Sequence, residues 1–160
     1  MTTGDVPRPL EALSAREMRF AIVASRFNDF AVSRLLEGAL SCLKERGAAA
    51  DRITVVRVPG SWEIPVFARK LALSNRFDAV VALGVLIRGE TLHFDLIARE
   101  VARGLAEAAE DSGVPIAFGV LAVENRQQAV DRAGGSAGNR GEESARAAIE
   151  AAGAMRELRS

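Results

Sequence analysis

The sequence predicts an α/β protein of three layers, in which a four-stranded parallel sheet carries helices on both faces. Short runs of continuous apolar residues alternate with longer segments in which apolar residues recur every three or four positions. Continuous apolar runs are typical of parallel strands that are buried on both faces, and their alternation with helices favours right-handed crossovers. This is a flavodoxin-like arrangement. At 160 residues the chain fits one domain, which we expect to span residues 18–160 behind an N-terminal arm of residues 1–17.

Each predicted element has its own signal in the chain. The arm contains Pro7 and Pro9, so we expect it to be irregular and to end in a short strand near Leu10 to Leu13. The four apolar runs are the predicted strands, at residues 20–24, 53–58, 79–87 and 116–123. The segments with helical spacing are the predicted helices: one capped by Asn28 or Asp29 and ending at Gly47, one over about 62–74, one from just after Thr91 to before Gly113, a short one from about Asn125 to Gly134, and one over about 142–158.

Composition excludes several classes of protein. Basic and acidic residues balance at 21 each, without a basic block, which argues against a nucleic-acid partner. No apolar run approaches the length that spans a membrane, so we expect a soluble cytoplasmic protein without a membrane partner. The single cysteine, Cys42, excludes an internal disulfide, and its place on an apolar helix face favours a buried thiol over a nucleophile. One cysteine and one histidine exclude a structural zinc site.

Residues 84–95, GVLIRGETLHFD, are the most informative stretch of the chain. A strand turns through Arg88 and Gly89 into a helix, and the free N–H groups at a helix N-terminus attract anions, phosphate above all. His93, the only histidine, stands in the first helical turn, where it could carry protons near neutral pH. The ordinary alternative is a common strand–helix junction with a histidine that caps the helix or lies on the surface.

Two other loops are expected beside this stretch, because sites in parallel sheets lie beyond the carboxyl ends of the strands. They span residues 25–28 and 59–63. Phe27 is an aromatic ring in a polar turn, where it suits a ligand that stacks on it. Trp62 and Glu63 stand at a helix start; Trp62 could instead be a core residue, and Glu63 could merely complement the helix dipole.

These loops fall in segments that resemble the signature sequences of the lumazine synthase family. Four segments carry the resemblance: FAIVASRFN at 20–28, VPGSWEIP at 58–65, GVLIRGETLHFD at 84–95 and RAGGSAGNRG at 132–141. Their order and spacing agree with the family from about residue 19 to residue 158. The resemblance implies a transferase of riboflavin biosynthesis that condenses 5-amino-6-(D-ribitylamino)uracil with 3,4-dihydroxy-2-butanone 4-phosphate, in the penultimate step, without a metal or organic cofactor.

The resemblance also implies a role for particular residues. His93 matches the residue that transfers protons, and Phe27 matches the ring that stacks on the pyrimidinedione. The other matching positions bind substrate: Ser61, Trp62 and Glu63 hold the ribityl chain and ring edge, Ile87 contacts the pyrimidine, Gly89, Glu90, Thr91 and Arg132 bind phosphate, and Phe118 is a wall supplied by a neighbouring chain. Many members have lysine where this chain has Ser136, and we expect Arg140 to compensate.

The family further implies partners and an assembly. Its members form pentamers, many of which stack into an icosahedral shell of sixty chains, and riboflavin synthase is a possible partner. Two readings from other classes stay open at this point. One is a catalytically weak flavodoxin-like module that binds a ligand, and the other is a shell-forming structural protein.

Overall fold

The computed structural model describes residues 13–159. The predicted arm up to residue 12, and with it most of the strand expected near Leu10 to Leu13, lies outside the described residues. Leu13 itself belongs to no strand, and neither do the residues that follow it as far as Arg19.

The predicted four-stranded parallel sheet is confirmed. Its strands are β1 (Phe20–Ser25), β2 (Ile53–Val58), β3 (Ala79–Ile87) and β4 (Ile116–Val123), arranged in the order β2-β1-β3-β4 with every neighbouring pair parallel. Three strands have the predicted bounds. The first is one residue longer than predicted because Ser25 still pairs with Val58 on β2.

Five α-helices connect and flank these strands. They are α1 (Asp29–Glu45), α2 (Ile64–Leu73), α3 (His93–Ser112), α4 (Arg126–Arg132) and α5 (Arg140–Arg159). The helix predicted from Trp62 begins instead as a short 3-10 turn, Ser61–Glu63, and becomes α-helical at Ile64, with Pro65 in the first turn, where its missing N–H costs nothing. Within residues 13–159, no helix is long and apolar enough to cross a membrane.

The core has two halves, one on each face of the sheet, because successive side chains of a strand point to opposite faces. On β1, Phe20, Ile22 and Ala24 pack against α1 and α5, whereas Ala21 and Val23 pack on the face that α2 and α3 cover. Cys42 is buried on α1, as predicted, and burial raises the pKa of its thiol. The helices therefore form the outer layers of the predicted three-layer fold.

The segment between α4 and α5, in which the sequence predicts no strand, forms a small antiparallel hairpin. Its strands are β5 (Ala133–Gly135) and β6 (Gly138–Asn139). The Asn139 side chain accepts from the N–H groups of Gly141 and Glu142, at 2.8 and 3.1 Å, so α5 begins two residues earlier than predicted. At Gly141 a Cβ would lie 1.9 Å from the carbonyl oxygen of Leu35, so only glycine lets α5 pack this closely on α1.

Candidate active site

One pocket of about 740 Å³ lies at the carboxyl ends of β1 and β3, on the face of the sheet that α2 and α3 cover. Its lining comes from three connections: the β1–α1 turn, the 3-10 turn before α2, and the β3–α3 loop with the start of α3. The lining residues are Phe27, Asn28, Gly60, Ser61, Trp62, Glu63, Leu86, Ile87, Gly89, Thr91, His93, Phe94, Leu96 and Ile97. The expected meeting of the three loops is therefore found.

The pocket brings together most of the residues predicted for the site. Those that line it are Phe27, Ser61, Trp62, Glu63, Ile87, Gly89, Thr91 and His93. Sequence reasoning missed six others: Asn28, Gly60, Leu86, Phe94, Leu96 and Ile97. Phe94 and Ile97 have the same helical spacing as the buried Val101 and Leu105 of α3, and nothing in that spacing distinguishes a core position from one that faces a cavity near the helix end.

Phe27 is held in place by its backbone while its ring stays in solvent. The N–H groups of Arg26 and Phe27 donate to the carbonyl oxygens of Val58 and Pro59, at 2.7 and 3.0 Å. The Phe27 side chain is 71% exposed, an unfavourable position for a phenyl ring unless a ligand or another chain covers it.

Asn28 occupies the N-cap position of α1, as predicted, but its side chain does not cap the helix. It has the left-handed backbone conformation, with φ of 62°, which asparagine tolerates better than most residues. Its side-chain Nδ2 donates instead to the carbonyl oxygen of Val85 at 2.9 Å. Asn28 thereby ties the turn that carries Phe27 to the end of β3.

The turn before α2 places the carboxylate of Glu63 and the hydroxyl of Ser61 at the pocket. Glu63 Oε2 accepts from the Gly60 N–H at 3.1 Å, the one hydrogen bond that this side chain makes within residues 13–159. The Ser61 side chain is buried near Gly84, where a Cβ would lie 2.6 Å from Ser61 Oγ and 3.2 Å from Ser25 Oγ. Gly84 therefore provides the space for both hydroxyls, and that of Ser25 is buried without a partner among the described residues. Trp62 is 59% exposed, so the alternative of a core tryptophan is wrong.

The β3–α3 loop brings His93 to the pocket as the first residue of α3. The His93 N–H donates to Thr91 Oγ1 at 3.3 Å, and both residues line the cavity together with Gly89. Arg88, expected at an anion-binding turn, does not line it. Its guanidinium is engaged by two carboxylates, Asp95 and Glu124, which raise the pKa of Arg88 above its usual range.

Four predicted site residues lie outside this pocket in the single chain. Glu90 is on the β3–α3 loop but does not line the cavity. Phe118 is on β4, an edge strand, and its side chain is 50% exposed. Arg132 ends α4, where its Nη1 donates to the carbonyl oxygen of Gln128 at 3.4 Å. Arg140 pairs with Glu143 at 3.3 Å in the first turn of α5.

Comparison with known proteins gives a consistent result. Residues 17–156 match the family model described as 6,7-dimethyl-8-ribityllumazine synthase. A protein of that name from Chlorobium luteolum is 52% identical over 139 residues, which cover 87% of this chain and 90% of the relative. Proteins of the same name from Chlorobaculum tepidum and Chlorobium phaeobacteroides are 49% and 53% identical, over 92% and 87% of this chain and 95% and 90% of their own.

Proposed function

Because this chain belongs to the 6,7-dimethyl-8-ribityllumazine synthase family, we propose that the pocket at the ends of β1 and β3 is its active site. In this pocket the chain condenses 5-amino-6-(D-ribitylamino)uracil with 3,4-dihydroxy-2-butanone 4-phosphate, in riboflavin biosynthesis, and releases phosphate and water. The observation that carries the proposal is the meeting of Phe27, Glu63 and His93, from three separate connections, around one cavity.

The pyrimidine substrate occupies the part of the pocket formed by the first two connections. The exposed Phe27 ring offers an apolar face on which the pyrimidinedione stacks. Glu63 has one carboxylate oxygen engaged by Gly60, which fixes the group while the other oxygen accepts from ribityl hydroxyls. Ser61 and Trp62 hold the ribityl chain and ring edge, and the Ile87 backbone contacts the pyrimidine.

The butanone phosphate binds beside the β3–α3 loop. Gly89, Glu90 and Thr91 precede the N-terminus of α3, where backbone N–H groups and the helix dipole favour an anion. The space beside Gly89 is open, since a Cβ there would meet no heavy atom within 4 Å, so a ligand can approach the loop. Arg132 supplies a positive charge that stabilises the departing phosphate. Arg140 adds a second, where this chain has Ser136 in place of lysine.

His93 moves the protons of the reaction. Schiff-base formation, phosphate elimination and ring closure each require proton transfer near neutral pH, for which imidazole is suited. His93 lines the same cavity as Phe27 and the loop residues Gly89 and Thr91, so one imidazole serves both substrates. Much of the remaining rate enhancement comes from holding the two reactants together.

We propose that each active site is shared between two neighbouring chains of a ring. Phe118 and Arg132 lie outside the chain's own pocket, and Phe118 exposes half its ring on edge strand β4. An exposed aromatic ring on a sheet edge suits burial against another copy. A copy on that edge would bring its Phe27 and His93 to the Phe118 and Arg132 of this chain.

The function is tested by incubating the purified chain with both substrates and following the absorbance and fluorescence of the lumazine product. We expect product and inorganic phosphate in equal amounts, with neither formed when one substrate is omitted. Binding of the pyrimidine without product formation would support the weak ligand-binding module instead. A particle that neither binds nor converts the substrates would support the purely structural shell protein.

The ring is expected to be a pentamer, and twelve pentamers are expected to form an icosahedral shell. The hairpin between α4 and α5 is short, without the insertion found in members that stop at the pentamer. Light scattering of the purified protein at neutral pH should therefore give about sixty times the mass of the 17.0 kDa chain. A particle of five chains would refute the shell but not the enzyme. If the shell forms, riboflavin synthase is its expected partner.

A further inference from the structure

Arg88 lies next to the pocket in the chain without lining it, and its side chain makes several contacts to neighbouring elements. Its Nε donates to both carboxylate oxygens of Glu124, at 3.0 and 3.2 Å. Its Nη1 donates to both oxygens of Asp95, at 3.1 and 3.3 Å. The guanidinium carbon also lies 4.6 Å from the centre of the Phe94 ring, a distance typical of a cation–π contact.

These contacts join three parts of the chain beyond the carboxyl ends of β3 and β4. Arg88 is the first residue after β3, Asp95 and Phe94 belong to the first turn of α3, and Glu124 follows β4. The Arg88 N–H adds a hydrogen bond to the carbonyl oxygen of Val123 at 2.9 Å. The guanidinium therefore bridges the two ends of the loop that carries Gly89, Thr91 and His93, and attaches that loop to the end of β4.

The loop between β3 and α3 has no regular secondary structure of its own. Residues 88–92 are in neither helix nor strand, and the space around Gly89 is open. Phe94, on which the guanidinium stacks, lines the pocket one residue after His93. A change in the position of this ring would therefore be transmitted directly to the imidazole that precedes it.

We propose that Arg88 is a positioning residue for the reaction, which holds the first turn of α3 so that His93 and Phe94 face the bound substrates. The inference rests on the proposed function. It also explains why a cation at an anion-binding turn is turned away from the pocket, since its Nε and Nη1 both donate to carboxylates. Because each of these nitrogens donates to both oxygens of one carboxylate, the planar guanidinium is fixed in direction as well as in place.

Arg103 provides a matched control on the same helix. It also pairs with two carboxylates, Glu100 and Glu107, but all three residues lie within α3. Surface ion pairs of this kind contribute little to stability, so replacing either arginine with methionine should change thermal unfolding to a similar, small extent. Only Arg88 crosses between elements of the site, so only its replacement should change catalysis.

The test measures kcat and both Michaelis constants for Arg88→Met, Arg88→Lys, Glu124→Gln and Arg103→Met. We expect Arg88→Met to lower kcat about three- to thirtyfold, because small displacements of reacting groups are costly, and to leave the Michaelis constant of the pyrimidine within about twofold. Arg88→Lys should recover part of kcat, since lysine keeps the charge but not the fork. Arg103→Met should match the unchanged protein.

The pair with Glu124 is tested by a double variant. If Arg88 acts by attaching the loop to β4, Glu124→Gln should lower kcat in the same direction, and Arg88→Met/Glu124→Gln should be no worse than Arg88→Met by more than about twofold. A kcat for Arg88→Met that equals that of Arg103→Met would overturn the inference. So would a loss of kcat in the double variant that equals the product of the losses in Arg88→Met and Glu124→Gln. If the unchanged chain makes no lumazine, the proposed function fails instead.

Discussion

Replacement of His93 with alanine is expected to lower kcat about ten- to a thousandfold, at or below the lower part of the range of roughly a hundred- to ten-thousandfold that general acid–base catalysis spans. His93 is the only histidine in the chain, so no other imidazole can take over its proton transfers. The loss should be partial, because the rest of the pocket still holds both substrates together. Steady-state kinetics with saturating concentrations of both substrates measures the effect.

His93→Gln serves as the matched variant, since its amide keeps a hydrogen-bonding group in the first turn of α3 but cannot transfer a proton near neutral pH. Both variants should bind the pyrimidine substrate about as well as the unchanged chain does. If glutamine restored kcat, His93 would be a hydrogen-bonding residue and not a proton carrier. If alanine left kcat unchanged, His93 would have no part in the mechanism.

The two central strands, β1 and β3, could be predicted closely because each is an apolar run buried from both sides. A run such as residues 79–87 has no exposed face that would demand polar residues, so its ends show where burial ends. The helices were less sharply predicted at their starts. The first turn of α5 depends on the Asn139 side chain, and a cap of this kind is visible in sequence only when the residues after it already read as helical.

Some features of the site could likewise be predicted from the sequence, whereas others could not. The three loops could be gathered beforehand because the carboxyl ends of parallel strands meet at one edge of the sheet. The contact between Asn28 and Val85 could not be predicted, because the two residues are 57 positions apart. Each also had a local explanation, Asn28 as a helix cap and Val85 as a residue of a buried strand. The pairing of Arg88 with Glu124 was likewise hidden, since a cation near a helix N-terminus reads as an anion ligand until its partner is seen.

Arg132→Ala is the second substitution for which we expect a large effect, and its effect should fall on one substrate. A charge-assisted hydrogen bond contributes about 1.5–3 kcal/mol, so the Michaelis constant of the butanone phosphate should rise roughly ten- to a hundred-and-fiftyfold. The constant for the pyrimidine should change far less, because that substrate carries no phosphate. Inorganic phosphate should compete with the butanone phosphate in the unchanged protein and more weakly in the variant.

Arg140→Ala is the control that separates a specific phosphate contact from general loss of positive charge. Arg140 already pairs with Glu143 in α5, so its removal should raise the same Michaelis constant by less than the removal of Arg132. Equal weakening of both substrates by Arg132→Ala would instead indicate that the variant distorts the pocket as a whole.

Mixing two defective chains tests whether Arg132 contributes to the pocket of its own chain or to that of a neighbouring chain. A His93→Ala chain and an Arg132→Ala chain would be unfolded, combined in equal amounts and refolded, with each variant refolded alone as control. In a ring with one shared site at each head-to-tail interface, about a quarter of the sites would pair an intact His93 with an intact Arg132 of the next chain. The mixture should then regain about a quarter of the unchanged rate at a low concentration of butanone phosphate, where both single variants are weak. The shared site would be wrong if the mixture gave only the average of the two controls although mass analysis showed mixed rings. Both residues would then serve the pocket of one chain. In that case α4, which ends at Arg132, would have to move toward that pocket when phosphate binds.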